Sequence, residues 1–222
     1  MKRINISLDR KILLALPLVM LRSGKEYIPQ YELRDGFYIK KFEKGQEKDW
    51  ADLEYSVGEF GSKEEALRHF FKEFGSRTDL FCQRCFFLYN RRGEVVGTAT
   101  AWEDSDFFHT LTGRMHWLSI RPDYQGRGLA RPLITAVLNE IIKHRDIIYL
   151  TTLPVNFPAI KLYLDFGFFP FMANKNYHRL FDIISRLFFH HDAAEIAAKA
   201  FRITKGVFGK EYTMKDILKL VL

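Results

Sequence analysis

A chain of 222 residues accommodates one domain with extensions and a substantial buried core, and 47% apolar with 27% charged residues excludes a disordered or fibrous protein. The net charge of +7 and pI near 9.3 allow attraction to polyanions, but no block of five or six basic residues occurs, so a nucleic-acid-binding arm is not indicated. The two cysteines, Cys82 and Cys85, form a lone Cys-x-x-Cys without a second pair or a neighbouring His set, which argues against zinc and for thiols in a reducing cytoplasm.

Residues 11–21 form an apolar run preceded by Lys2, Arg3 and Arg10. No small-x-small cleavage site follows, Arg22 and Lys25 restore charge, and the run is too short to span a bilayer. It reads as a core or docking segment in an N-terminal extension over 1–30, packed on the main domain or on a second subunit, which leaves room for a homodimer. Residues 36–42, after the turn signal Arg34-Asp35-Gly36, are expected as the first strand. Two helices follow in 44–75: one carries Trp50, Leu53, Val57 and Phe60, and the other opens at Ser62, with Glu64 and Glu65 in its first turn. The run from Cys85 reads as a strand entrance, and residues 85–89 and 95–102 flank a hairpin turn containing Gly93.

A loop over 103–109 carries Glu103, Asp104, Asp106 and His109, and a strand over 114–120 runs into Arg121-Pro122-Asp123-Tyr124-Gln125-Gly126-Arg127-Gly128. A helix opens at Leu129, a strand of β-formers covers 147–153, and a further helix starts with Asn156 at its cap and Pro158 in its first turn and stops at Gly167. This alternation predicts an α/β arrangement with a parallel sheet segment. Residues 177–184 read as a strand or a helix, and 193–201 and 214–222, the latter capped by Thr213, as helices of a C-terminal extension over 176–222.

The strand, glycine loop and helix N-terminus at 118–133 leave backbone N–H groups without intrahelical partners, and glycines let a ligand approach the backbone. Arg121, Arg127 and Arg131 add charge, so a polyanion such as a pyrophosphate is the expected ligand. The loop is not a Walker motif, because no Lys-Ser/Thr follows, and the dinucleotide fingerprint lacks its third glycine at Arg131.

Gln125, Gly128 and Ala130 resemble the Gln/Arg-x-x-Gly-x-Gly/Ala signature of the GNAT superfamily of acyl-CoA N-acyltransferases. Asn156, Ala159, Leu162, Tyr163, Gly167 and Phe168 resemble the Asn-x-x-Ala-x-x-Leu-Tyr-x-x-x-Gly-Phe pattern that follows this loop in the same superfamily. The resemblance covers 31–175 and implies an α+β GNAT fold: a mixed, mostly antiparallel twisted sheet, splayed near the acyl-CoA site, with helices on both faces.

The resemblance also implies roles. Acetyl-CoA would be the co-substrate, without a metal. The backbone from Gln125 through Gly126, Arg127, Gly128 and Leu129 to Ala130, with Arg127 and Arg131, would hold the pyrophosphate. The pantetheine arm would lie along Leu118, Ser119 and Ile120, with a backbone N–H near Leu118 facing the thioester oxygen. Asn156 would meet the pantetheine, and Tyr163 would act as general acid. Arg114 stands where several relatives carry a strand glutamate, so His116, Glu103 and Asp104 are the candidate bases.

Trp50, Tyr55, Phe60 and Phe71 would line the acceptor, or are ordinary core aromatics. The reading is a cytoplasmic N-acetyltransferase working by direct transfer to a small-molecule or peptide amine, independent of nucleic acid and membrane. Glu103, Asp104 and Asp106 would suit a cationic acceptor. A catalytically silent CoA-binding sensor or assembly module is the alternative.

Overall fold

The structure, a computed structural model, describes residues 18–105, 111–154 and 156–171. The C-terminal elements expected over 176–222, together with Asp106 and His109, lie outside the described residues. The described residues fall into two compact units, one of residues 27–103 and 113–145 and another built on 18–26, 104–105, 111–112, 146–154 and 156–171.

In the first unit, β2 (Phe37–Lys41), β3 (Cys85–Asn90), β4 (Val95–Asp104) and β5 (Thr112–Ile120) lie in that order across the sheet. β3 pairs antiparallel with both β2 and β4, with a bulge at Leu88/Tyr89. The β3–β4 turn closes on Asn90, whose Oδ1 accepts the N–H groups of Arg92 at 2.9 Å and Glu94 at 3.0 Å. Between β2 and β3 come α1 (Glu47–Ser56), α2 (Lys63–Phe74) and α3 (Thr78–Arg84). α2 begins at Ser62, whose Oγ accepts the Glu65 N–H at 3.1 Å, while Glu65 Oε2 accepts the Gly61 N–H at 3.0 Å. This reciprocal cap fixes the helix start, and Ala66, Phe70 and Phe74 fall on its buried face.

Phe42, Phe70, Phe74, Phe81 and Phe87 gather in the aromatic core of this unit. Phe42 meets Phe81 and Phe87 edge-on at 4.9 and 5.4 Å, and Phe74 lies 4.3 Å from Phe81, centroid to centroid. Each such pair contributes roughly 0.5–1.5 kcal/mol beyond its area burial. α3 corrects the expectation of two helices: Cys82 lies on it, and Cys85 opens β3 as the sequence indicated. Seven residues make less than two turns, too short for a helical period to show.

In the second unit, β1 (Leu18–Ser23) lies between β6 (Ile147–Thr152) and β7 (Phe169–Pro170), antiparallel to both. The segment 36–42 is therefore the second strand. Leu18, Val19, Met20 and Leu21 are all buried, so the strand reads as a continuous apolar run without the alternation of a half-exposed strand. α5 (Phe157–Asp165) follows β6 and ends where the Gly167 N–H bonds the Leu164 carbonyl at 2.9 Å. The buried Arg22 ties its Nε to the Phe166 carbonyl at 2.7 Å.

Candidate active site

The glycine loop takes the form its sequence demands. After β5, Pro122–Tyr124 make a 3-10 turn, Gly126 and Gly128 adopt φ of +71° and +77°, and α4 (Ala130–Ile141) begins. Two consecutive left-handed glycines with one residue between them turn the chain so tightly that a side chain at either would be strained. Among the described residues, no hydrogen bond is made by the N–H groups of Gly126, Arg127, Gly128 and Leu129. These free donors lie at the N-terminal end of a 12-residue helix, the geometry that suits an anionic ligand.

The loop is braced by its own side chains. Gln125 Nε2 donates to the Ile120 carbonyl at 2.9 Å, and Arg121 Nε to the Val95 carbonyl at 2.8 Å. Arg127 donates to the Asp123 carbonyl at 2.6 Å and lies over the Tyr124 ring, while Arg131 lies over Tyr31. Arg34 brings a cation that the sequence reading missed: its Nη2 is 3.9 Å from where a Cβ on Gly128 would sit. Sequence spacing gave no signal for it, because Arg34 precedes the loop by more than ninety residues.

β5 is irregular where the donor strand was expected. Trp117 has φ of +49°, the sole non-glycine residue with positive φ among those described, and Leu118, Ser119 and Ile120 follow it. A bulky residue held in this region marks stored backbone strain. Gly97 on β4 allows a close approach there, since an added Cβ would meet Ile120 Cδ1 at 2.6 Å and the Ser119 carbonyl oxygen at 3.1 Å.

His116 precedes Trp117, and its Nε2 lies 2.6 Å from Glu73 Oε1. Glu73 Oε2 accepts from Trp117 Nε1 at 3.0 Å and bonds His69 Nε2 at 2.9 Å. Burial opposes ionisation of Glu73, but the bonds from His116, Trp117 and His69 outweigh it and bring its pKa to about 2. Burial, reinforced by the Arg114 cation, brings His116 to about 4, against the pull of Glu73. At neutral pH the pair is thus a carboxylate with a neutral imidazole. The ring must donate from Nε2 to Glu73, which assigns the lone pair to Nδ1. Arg114 helps to keep that imidazole unprotonated. Glu73 is the residue that sequence reasoning missed: on α2 it looks like an ordinary solvated acid.

The other candidates are placed as follows. Glu103 is held by Arg145 at 2.9 Å and faces Arg77 at 3.8 Å. Asp104 Oδ2 accepts from the Tyr149 hydroxyl at 2.5 Å. In the second unit, Asn156 occupies the cap position of α5 through its backbone carbonyl, which accepts the Ile160 N–H at 3.0 Å, but its side chain makes no cap bond. Tyr163 is buried, and burial pushes its phenol up to about 12, so it keeps its proton. Trp50 belongs to the core and Phe60 packs against it, whereas Tyr55 and Phe71 are exposed.

Cys85 is buried against Thr98, and burial pushes its thiol up to about 12, leaving it poorly suited as a nucleophile. Among the described residues, no cluster of three His, Cys, Asp or Glu side chains could hold a metal ion, and no helix is long and apolar enough to cross a membrane.

Comparison with known proteins places these features. The acetyltransferase (GNAT) family matches residues 46–168, more than half of the chain. A GCN5-related N-acetyltransferase from Sphaerobacter thermophilus is similar at a TM-score of 0.53 and 19% identity, over 69% of this chain and 48% of that one. A GNAT-family acetyltransferase from Colwellia psychrerythraea is similar at 0.54 and 13% identity, over 69% and 52%. The match spans about half the length of these solved structures, and the likeness is one of fold. No curated protein matches the chain. The family match across β3, β4, β5, the glycine loop and α5, together with the shared α+β fold, shows that the chain belongs to the GNAT acetyltransferase family.

Proposed function

We propose that this chain is an N-acetyltransferase that moves an acetyl group from acetyl-CoA directly to an amine. The observation that carries the reading is the loop itself: four free N–H groups and two left-handed glycines at a helix N-terminus, within a GNAT family match. This fits a pyrophosphate, and Arg34 adds charge beside it. Acetyl-CoA would supply the acyl group already activated as a thioester.

The chain's own residues do the rest. The loop backbone binds the phosphates, and the strained strand after Trp117 orients the donor arm. His116, aligned by Glu73 and kept neutral by burial and the Arg114 cation, accepts the amine proton at Nδ1. The Asn156 amide, unused as a helix cap, is assigned to the donor arm by the family pattern, and Tyr163 holds the proton for the departing thiolate. Glu103 is committed to two arginines, which favours His116 as the base. The poorly ionised Cys85 agrees with direct transfer.

The test is release of free CoA thiol from acetyl-CoA across polyamines, amino acids, aminoglycosides and peptides, with acetyl-CoA affinity measured in parallel. Turnover with at least one amine, reduced in Tyr163→Phe while affinity is retained, is the expected result. Tight acetyl-CoA binding without turnover on any amine would identify a CoA-binding module instead.

A further inference from the structure

A fully buried acid lies behind β5. α1 turns Trp50, Leu53 and Glu54 inward, and Trp50 and Glu54, one helical turn apart, both face β5. The Trp50 ring meets Trp117 at 5.1 Å, and Glu54 Oε2 accepts the Ser119 hydroxyl at 2.9 Å. Glu54 is fully buried, and its other oxygen, Oε1, has no hydrogen-bond partner. Ser119 is thus closely placed on both sides: its carbonyl lies where only a glycine at 97 leaves room, and its hydroxyl is held by Glu54. A carboxyl group buried with an oxygen unsatisfied is costly, and hydrophobic packing alone would not require one here.

We propose that Glu54 is a positioning residue which, through Ser119, holds the segment after the left-handed Trp117 in the conformation that receives the acetyl-CoA donor arm. This rests on the acetyl-CoA reading above. The electrostatics agree: burial, partly opposed by the Ser119 bond and helped by Glu59, pushes the Glu54 carboxyl up to about 8. Among the described residues, the titratable groups that it feels are Glu59, beyond the end of α1, and the Cys85 thiol on β3, neither of them a cation. At neutral pH the group is uncharged and the clamp holds. Above its pKa it becomes a buried anion whose desolvation cost exceeds what the Ser119 bond returns, so the segment opens toward water and the clamp loosens.

The test follows acetyl-CoA affinity and thermal stability from pH 5 to 9 in the wild type, Glu54→Gln and Ser119→Ala. The wild type should bind acetyl-CoA about tenfold more weakly at pH 9 than at pH 7, because only the protonated fraction is competent, while Glu54→Gln stays flat. Relative to Glu54→Gln, wild-type stability should fall as pH rises from about 5 and level off above about 8, because the folded protein holds a proton that the unfolded chain has released. Should Glu54→Gln fail to fold, Ser119→Ala decides: with the clamp's hydroxyl gone, acetyl-CoA affinity should already be low at pH 7 and change little up to pH 9, whereas an alkaline loss of affinity parallel to the wild type's would overturn the proposal. Parallel affinity profiles in all variants, even with the stability difference present, would overturn the proposal and leave Glu54 merely structural. If no amine is acetylated by any variant, the enzyme reading fails, and the affinity contrast still decides the role of Glu54.

Discussion

The glycine loop and the cluster around Glu73 prepare for charge by opposite means. The loop leaves backbone donors unfilled and presents them at a helix end, so its affinity for an anion needs no particular side chain. The Glu73 cluster instead satisfies a half-buried carboxylate with three side-chain donors and uses it to fix one imidazole. One region is a vacancy in the hydrogen-bond pattern and the other a saturated network. They should therefore fail differently when broken.

The largest effect is expected in the network. His116→Ala should lower kcat by about 10²–10⁴-fold with acetyl-CoA affinity unchanged, since it removes a general base and no donor contact. The pH profile sharpens the point. With His116 held near 4, below its ordinary 6.5, the acidic limb of kcat/KM should lie near pH 4, and steady-state rates from pH 4 to 8 would show it. The stability linked to this histidine is present above about 6.5 and is lost as pH falls toward 4.

Next comes the approach of β4 to β5. Gly97→Ala should destabilise by about 1–3 kcal/mol, visible as a lowered Tm, because the new methyl meets Ser119 backbone and not only a movable side chain. In the loop, Gly128→Ala at φ +77° should cost roughly 1–2 kcal/mol of strain and weaken acetyl-CoA binding while leaving the His116 pH profile in place. The smallest change belongs to Arg34→Ala: a few-fold weaker acetyl-CoA binding by calorimetry, with the difference shrinking as salt is raised.

The two regions also differ in how far they could be read without coordinates. Gly126, Gly128 and the cap of α2 were legible because each is a local device whose partners lie within a few residues, and the hairpin at Asn90 was legible for the same reason. β1 was legible as buried but not as a strand, since burial on both faces erases alternation. Glu73, Glu54 and Arg34 left no trace in the pattern. Each acts on a residue more than forty positions away, and on a single helix Glu54 and Glu73 resemble any solvated acid. Trp117 hid for another reason: aromatic residues are good strand formers, and nothing in its neighbours announces a left-handed φ.

The most direct measurement of the central claim is release of free thiol from acetyl-CoA over the amine panel, run on the wild type, His116→Ala and Gly128→Ala with acetyl-CoA affinity measured on the same samples. The account predicts turnover by the wild type, a loss in kcat alone for His116→Ala, and a loss in affinity for Gly128→Ala. Turnover in His116→Ala equal to the wild type, or acetyl-CoA binding indifferent to Gly128→Ala, would contradict it.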